Sequence, residues 1–463
     1  MKKILSSILD AVGETPLVRL NRLVRPGMAD VLVKIESLNP GGSVKDRMAC
    51  HLVKMAEKRG ELKPGISTLV EATSGNTGLG LAMMAAVRGY KCMITIPDKM
   101  SQEKINMLRA YGAEVIVTPA SAGHDSPDFY KNVAKRIVKE TPSAMYMNQY
   151  DNPDNPVIHY ETTGPEIWEQ TDGKLDYFVA GIGTGGTVTG VGRFLRDKSK
   201  ATGKTVKVVC ADPVGSVLGA IHRQEKNIPE AQAYKVEGIG QDFVPKVLDF
   251  SVIHEVRPVT DQQSFVAARR LCREEGIFVG GSAGTAIHTA LELAAEVGAG
   301  KTIVVLLPDS GDRYVSKCFN DQWMKDHGFL EEDRGSGTVN DVLNHKGRGV
   351  EFAAEHETLG EVAARLNQLG ISQMPIRESG DAATRIIHEI DILHALVQGK
   401  IKADQPISHV ARPIQGIVSP ADSLHRLEGI FESGNAAIVK DGDKIIGVLC
   451  EIDVVRYLTT NAR

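Results

Sequence analysis

"FVAGIGTGGTVTGVGRFL" (residues 178–195) joins an apolar run to a helical pattern through a glycine-rich turn. Gly181, Gly183 and Gly186 match G-x-G-x-x-G, the pattern of dinucleotide-binding turns. A strand, a glycine turn and a helix follow one another wherever a phosphate lies on a helix N-terminus, because the free backbone N–H groups there bind anions. The stretch therefore predicts an α/β fold with a phosphate-binding turn, and it leaves open which phosphate binds.

Short apolar runs alternate with helical patterns from residue 1 to about 325. Apolar strands separated by helices indicate parallel β-sheet covered by helices on both faces. Ligands in such folds bind beyond the carboxyl ends of the strands. Polar and glycine-rich turns follow several of the runs, so we expect these turns to meet at one edge of a sheet. The predicted strands are 31–37, 67–73, 91–97, 113–119, 177–183, 206–212 and 302–308.

Two remote alternatives use single motifs of this region. A dehydrogenase would bind NAD at the glycine turn, with Asp212 at a strand end as the ribose ligand. A serine hydrolase would use Ser282 of "GGSAG", preceded by a predicted strand at 276–280 and followed in the chain by Asp309 and His327. Both patterns are short and permissive.

A lysine offers a third interpretation, which uses several of the turns together. In "LNPGGSVKDR", Lys45 lies at a predicted helix start just beyond a strand. The positive end of a helix and partial desolvation both favour a neutral amine, which can form a Schiff base with a carbonyl cofactor. The glycine turn would then hold the phosphate of that cofactor. "TSGNTG" (73–78) opens another helix with hydroxyl and amide groups suited to a carboxylate.

Residues 1–325 resemble the fold-type-II pyridoxal-phosphate enzymes of the cysteine synthase/cystathionine β-synthase family. The motifs, in this order, are "GETPLVRLN", "NPGGSVKDR", "EATSGNTG", "GIGTGGT" and "GGSAG". The resemblance implies that Lys45 binds pyridoxal 5'-phosphate covalently, that Asn76 contacts the ring hydroxyl and that Ser282 faces the pyridine nitrogen. It implies a phosphate site at Gly183, Thr184, Gly185, Gly186 and Thr187. The substrate carboxylate is then expected at Thr73, Ser74, Thr77 and Gln149.

The same resemblance implies a β-replacement through an aminoacrylate intermediate, with Lys45 as general base and acid. Two reactions of the family compete: serine with homocysteine, giving cystathionine and water, or O-acetylserine with sulfide. Glu237 and Tyr150 resemble residues of the β-synthases, where a carboxylate could bind the ammonium of homocysteine and a phenol could assist loss of hydroxide. We therefore expect the serine and homocysteine reaction, a lyase of transsulfuration and cysteine biosynthesis.

The C-terminal part contains an internal repeat. A polar linker is expected at 326–337, and within 338–463 both "TRIIHEIDILHALVQG" (384–399) and "DKIIGVLCEIDVVRYL" (443–458) read as strand, Glu-Ile-Asp and helix. The pair resembles a tandem CBS-domain (Bateman) module. That resemblance implies an adenosyl ligand near Asp391 and Asp453, although His388 and Cys450 stand where the family often has a hydroxyl residue. A purely structural or dimerising module is the alternative.

Composition excludes several other classes. The formal net charge of −4 over 463 residues gives no electrostatic case for nucleic acid or an anionic membrane as partner. No apolar run is long enough to span a bilayer, and the N-terminal residues suit a short amphipathic helix better than a signal peptide. Six scattered cysteines and no H-E-x-x-H motif indicate a reducing cytoplasm and no metal site. Because "GETPLVRLN" begins at residue 13, we expect no haem. A homodimer or larger homo-oligomer is expected.

Overall fold

The computed structural model of the chain divides into two compact units, Met1–Leu330 and Glu331–Arg463. It describes residues 4–73, 75–98, 100–123, 125–330, 337–347, 349–377, 383–399, 401–432, 436–442 and 444–461.

The first unit alternates strands and helices, as its sequence predicts. Its strands are β1 (Leu17–Arg19), β2 (Asp30–Ile35), β3 (Thr68–Ala72), β4 (Lys91–Pro97), β5 (Glu114–Thr118), β6 (Ala144–Tyr146), β7 (Tyr177–Gly181), β8 (Lys207–Pro213), β9 (Glu255–Val259) and β10 (Thr302–Leu307). Its helices are α1 (Lys45–Lys58), α2 (Asn76–Arg88), α3 (Gln102–Ala110), α4 (Tyr130–Glu140), α5 (Asp154–Ile158), α6 (Gly164–Gln170), α7 (Gly186–Thr202), α8 (Leu218–His222), α9 (Asp261–Glu275), α10 (Gly281–Val297) and α11 (Asp321–Asp326).

Shorter helical turns connect these elements: 3₁₀ turns at Ile8–Ala11, Glu36–Leu38, Phe250–Val252 and Gly311–Tyr314, and one π-helical turn at His159–Thr163. The 3₁₀ turn at Ile8–Ala11 takes the place of the N-terminal amphipathic helix expected from the sequence.

The strands form two sheets, where the sequence analysis expected the turns to meet at the edge of one. The larger sheet has the order β1-β2-β10-β7-β8-β9 and is parallel except for β1, which pairs antiparallel with β2. The smaller sheet, β5-β4-β3-β6, is parallel throughout. All seven predicted strands are present, and their buried apolar side chains form the cores against the helices.

Two sequence predictions fail at segment boundaries. The strand expected at 276–280 is reduced to an isolated bridge between Val279 and Ser310, because this short segment leads directly from α9 into α10. Residues 326–330, expected in the linker, belong to the first unit, where Phe329 packs 5.2 Å from Phe265, measured between ring centroids. The apolar side chain of Phe329 explains why the chain stays packed there.

The second unit contains the predicted repeat. Each copy runs from a strand through Glu-Ile-Asp into a helix, and the copies belong to separate sheets with the orders β11-β12-β13-β14 and β15-β16-β17. The strands are β11 (Ala353–Ala354), β12 (Gln373–Arg377), β13 (Arg385–His388), β14 (Arg412–Pro413), β15 (Ile417–Val418), β16 (Ala437–Asp441) and β17 (Lys444–Leu449). The helices are α12 (Val339–Lys346), α13 (Leu359–Leu369), α14 (Glu389–Val397), α15 (His425–Glu432) and α16 (Glu451–Asn461), with a 3₁₀ turn at Ile407–His409.

No helix in the described part of the chain combines the length and the apolar character needed to cross a bilayer.

Candidate active site

A cavity of about 860 Å³ in the first unit collects most of the predicted site residues. Turns from both sheets contribute to its wall, so the convergence expected from the sequence occurs across two sheets. Gly186 begins α7 next to the lining residues, and Ser74 lies outside the described residues. The predicted residues that line the cavity are Lys45, Thr73, Asn76, Thr77, Gln149, Tyr150, Gly183, Thr184, Gly185, Thr187, Glu237 and Ser282.

Lys45 is the first residue of α1 and lines the cavity half-buried. Burial lowers the pKa of its amine below the ordinary value, while the nearby charge of Asp309 partly opposes the shift. A lowered pKa increases the share of neutral amine, the form that acts as nucleophile and base. The environment of Lys45 therefore suits covalent attachment of a carbonyl compound.

The glycine turn before α7 allows a ligand to approach the backbone closely. Gly185 precedes the helix with φ of +87°, and a Cβ there would lie 2.7 Å from Leu248 Cβ. A Cβ on Gly183 would collide with the carbonyl oxygen of Gly238. Glycine is therefore required at both positions. The N-terminus of α7 faces this turn and suits an anion, although the N–H of Gly186 makes a 3.4 Å contact with Thr184 Oγ1.

Two residues that the sequence analysis did not single out support this turn. Asn155 Nδ2 lies 3.3 Å from Thr184 Oγ1, and His159 Nε2 lies 3.2 Å from Thr187 Oγ1. His159 Nδ1 contacts Thr163 Oγ1 at 3.0 Å, and burial lowers the pKa of the imidazole well below its ordinary value. A neutral ring with a hydroxyl at each nitrogen orients Thr187. The sequence could not reveal this role, because His159 and Thr187 are 28 residues apart and meet only in the folded chain.

The loop before α2 forms a second group of hydrogen-bonding residues. Thr77 Oγ1 donates to Gln149 Oε1 at 2.7 Å, and Asn155 Nδ2 donates to the Gln149 carbonyl at 2.7 Å. Thr73 Oγ1 accepts the N–H of Gly75 at 3.2 Å. Thr77 and Gln149 thus lie together at the start of α2, and their binding of a substrate carboxylate stays a prediction.

Asn76 already has two protein partners. Its Nδ2 donates to Asp309 Oδ2 at 2.7 Å, and its Oδ1 accepts from Arg313 Nη1 at 2.7 Å. Tyr314 also donates to Asp309 Oδ2, at 2.6 Å. The contact expected between Asn76 and a cofactor hydroxyl would therefore compete with these bonds.

The two remote alternatives find no support in these contacts. His327 Nδ1 lies 2.8 Å from the Trp323 carbonyl, and the Asp309 oxygen that accepts hydrogen bonds serves Asn76 and Tyr314. The Ser-Asp-His relay of a hydrolase is therefore not formed. Asp212 Oδ2, near the end of β8, accepts the N–H of Gly219 in α8 at 3.0 Å, a structural role.

Glu237 lies between two lysines. Lys104 Nζ is 2.5 Å from Glu237 Oε2, and Lys317 Nζ is 2.6 Å from Oε1. Burial alone would raise the pKa of Glu237, but the two lysines outweigh it and lower the pKa below the ordinary value. The carboxylate is therefore ionised and already paired, so an ammonium group of a substrate would have to compete with two lysines.

Tyr150 occupies a part of the wall rich in aromatic rings. Its ring lies 5.4 Å from that of Phe243 and 4.1 Å from Lys131 Nζ, measured to ring centroids. Burial raises the pKa of the phenol, so Tyr150 keeps its proton at neutral pH. A protonated phenol can donate a hydrogen bond to a departing oxygen.

In the second unit, both candidate ligand-binding aspartates are paired. Asp391 accepts a short hydrogen bond from Arg412 Nη2, and Lys346 Nζ donates to Asp453 Oδ2 at 2.7 Å. The N–H of Cys450 also donates to Asp453 Oδ2, at 2.9 Å. A nucleoside hydroxyl would have to share these carboxylates with the present partners.

Comparison with known proteins gives a consistent result over the whole chain. A family model described as pyridoxal-phosphate dependent enzyme matches residues 8–309. The chain is similar to a cystathionine beta-synthase of Apis mellifera, with 47% identity over 99% of this chain and 92% of that protein. A cystathionine beta-synthase of Oryctolagus cuniculus is 37% identical over 100% of this chain and 86% of that protein. A crystal structure of O-ureido-L-serine synthase matches with a TM-score of 0.63 and 39% identity, covering 70% of this chain and 100% of that chain.

The residues around the cavity fit pyridoxal phosphate, the cofactor that this family model implies. The turn at Gly183 and Gly185 leaves room that a Cβ would fill, beside the N-terminus of α7. Lys45 provides an amine of lowered pKa, and Ser282, the second residue of α10, provides a hydroxyl that is 4% exposed. The glycine turn would hold the phosphate, Lys45 the aldehyde carbon and Ser282 the ring nitrogen.

Proposed function

Because the chain belongs to the cystathionine β-synthase family of pyridoxal-phosphate-dependent enzymes, we propose that it condenses L-serine with L-homocysteine to cystathionine and water. One observation carries the proposal: a single cavity is lined both by Lys45 with the anion-binding turn and by Tyr150 with the paired charges around Glu237. The first group serves a cofactor and an amino-acid donor. The second group serves a leaving hydroxyl and a charged acceptor.

Pyridoxal phosphate, when bound, supplies an electron sink for the α-carbon of the donor. We assign the binding of the donor carboxylate to Thr73, Ser74, Thr77 and Gln149. The neutral Nζ of Lys45 takes the α-proton, and it can return a proton to the departing β-oxygen. Tyr150 supports that departure with the hydrogen of its phenol, since hydroxide is a poor leaving group.

The phosphate and the ring nitrogen of the cofactor are assigned to two further groups of the cavity. Backbone N–H groups from Gly183 to Thr187, with the hydroxyls of Thr184 and Thr187, would hold the phosphate dianion. Ser282 would face the ring nitrogen with a neutral hydroxyl. A hydroxyl would hold a proton on that nitrogen less firmly than a carboxylate, so the bound cofactor would supply a weaker electron sink.

A direct assay tests the proposal. The purified, cofactor-loaded protein is incubated with serine and homocysteine, and cystathionine is quantified by mass spectrometry. We expect cystathionine to form at a rate that is proportional to enzyme concentration. Formation of cysteine from O-acetylserine and sulfide, with no cystathionine from serine and homocysteine, would instead identify a cysteine synthase.

We further propose that the second unit is a tandem CBS-domain module that binds an adenosyl ligand through Asp391 and Asp453. The repeat of strand, Glu-Ile-Asp and helix supports the proposal. Titration calorimetry of the full chain with S-adenosylmethionine and with ATP is the test. Binding that Asp391→Ala and Asp453→Ala weaken supports it, and absence of heat with either ligand contradicts it.

The assembly and cellular setting stay predictions as well. We expect a cytoplasmic homodimer or larger homo-oligomer, which light scattering after size-exclusion chromatography would establish. We also expect an enzyme that works without haem. An absorption spectrum of the purified protein with a haem Soret band would contradict that expectation.

A further inference from the structure

We infer that Lys131 binds the α-carboxylate of the acceptor amino acid and so selects acceptors that carry this group. The inference deepens the proposed function and rests on it.

Lys131 lies in the first turn of α4, and its side chain lines the cavity. Its Nζ lies 4.1 Å from the centroid of the Tyr150 ring and 3.8 Å from that of Phe243. An ammonium over two aromatic faces is held by electrostatic attraction to the rings, yet it keeps its N–H donors for a further partner. The rings therefore fix the position of a cation without neutralising its charge.

Four other lysines line the cavity: Lys45 is assigned to the cofactor, Lys235 is exposed to solvent, and the remaining two are paired. Lys104 and Lys317 are both bonded to the carboxylate of Glu237. No carboxylate among the described residues forms an ion pair of 4.0 Å or less with Lys131. Its charge therefore remains available to a ligand, whereas the charges of the other two are already engaged.

The position beside Tyr150 indicates which ligand group Lys131 meets. The donor carboxylate is assigned to the loop of Thr77 and Gln149, and Tyr150 to the leaving oxygen. The acceptor enters where that oxygen leaves, so an α-carboxylate on the acceptor falls on the side of Tyr150 and Phe243. Their ring faces also offer apolar surface to the methylene groups of homocysteine.

The charge of Lys131 suits this task. Burial lowers the pKa of its amine to about 8, while Asp242 and Asp151 oppose the shift. The amine is therefore still mostly protonated at pH 7. A bound carboxylate would stabilise the protonated form further.

Steady-state kinetics of Lys131→Met in the full-length holoenzyme test the inference. We expect the KM for homocysteine to rise roughly 10- to 100-fold, the range expected for loss of a charge-assisted hydrogen bond. The KM for serine should stay within about twofold. With 2-mercaptoethanol, a thiol without a carboxylate, Lys131→Met and the wild type should give the same KM. Lys131→Arg should recover part of the affinity for homocysteine.

Lys135→Met is the matched control, because Lys135 is exposed one turn further along α4 and does not line the cavity. It should behave as the wild type with both thiols. Lys131→Gln replaces Lys131→Met if the latter folds poorly, as judged from cofactor absorbance and melting temperature. An unchanged KM for homocysteine, or an equal rise for both thiols, would overturn the inference. A wild type that makes no cystathionine would refute the proposed function, and the inference with it.

Discussion

Replacement of Glu237 by Gln separates two candidate roles of this residue, because its carboxylate lines the cavity and is also paired with Lys104 and Lys317. The side chain of Lys104 is 1% exposed and that of Glu237 is 7% exposed, so the pair is shielded from solvent. The substitution keeps the shape and removes the charge, which leaves the buried ammonium of Lys104 and the 23% exposed Lys317 without their counter-ion.

Removing one partner of a buried pair costs about 3–5 kcal/mol of unfolding free energy. For a unit of this size, each kcal/mol corresponds to about 2 °C, so we expect the melting temperature to fall by roughly 6–10 °C. The difference in melting temperature between Glu237→Gln and the wild type should be constant between pH 6 and 8. Since the lysines lower the pKa of Glu237, its stabilisation is present above the unfolded pKa and is lost as the pH falls through the folded value.

Thermal unfolding, followed by far-UV circular dichroism and by cofactor absorbance, measures the change. Glu296→Gln is the matched control, because the side chain of Glu296, which pairs with Arg257, is 54% exposed and its loss should cost less than about 1 kcal/mol. A melting temperature within 1 °C of the wild type, together with a large rise in the KM for homocysteine, would refute this reasoning. It would show that Glu237 serves the ammonium of the acceptor and not the lysines.

Three further predictions follow from individual residues. Gly185→Ala should weaken binding of pyridoxal phosphate roughly 5- to 30-fold in an equilibrium titration, because the left-handed backbone costs about 1–2 kcal/mol and the methyl group meets Leu248. Gly203→Ala is the control: Gly203 also has a left-handed backbone, but a methyl group there meets no neighbour, so the affinity should stay unchanged. Glu71→Gln should remove part of the pH dependence of the unfolding free energy. Burial raises the pKa of Glu71 to about 8. The wild type therefore loses up to about 1.4 kcal/mol of unfolding free energy per pH unit as the pH rises from about 4.5 to 8. Chemical denaturation at pH 6 and 8 checks it, and an equal pH slope in both proteins would contradict it. His159→Gln should lower cofactor affinity less than His159→Leu, since only Gln can bond Thr187; equal losses would contradict the orienting role.

The sequence predicts the parts of the site that lie in one short segment. Lys45 at the start of α1 and the glycine turn before α7 each carry their chemistry locally, and the structure places both in one cavity. The order of the five motifs was sufficient to identify the family that the comparisons also give.

Contacts between distant segments could not be predicted. The lysine partners of Glu237 are Lys104 and Lys317, far from it in the chain, so its carboxylate could be read from the sequence as open to a ligand. Asn76 likewise meets Asp309 and Arg313 only in the folded chain. Long-range ion pairs leave no pattern of spacing that sequence periodicity can detect.

The prediction of strands from the sequence was wrong where contacts with other segments decide whether a strand forms. The apolar segment 276–280 resembles a strand, yet it forms only the bridge between Val279 and Ser310, because it leads directly from α9 into α10. Conversely, β9 was not predicted, because its segment contains Glu255, Arg257 and Pro258. These residues are tolerated in β9 because it lies at the edge of the sheet, beside β8.

The role of Lys45 is tested by comparing cystathionine formation by the wild type and by Lys45→Ala, with serine, homocysteine and pyridoxal phosphate. We expect brisk formation by the wild type and a loss of at least about 10²- to 10⁴-fold in the variant, the contribution of a positioned acid–base group. Borohydride reduction should also attach the cofactor to Lys45 in the wild type, as peptide mass spectrometry would show. Comparable cystathionine formation by Lys45→Ala, or attachment at another lysine, would refute the assignment of Lys45 as the cofactor-binding acid–base residue.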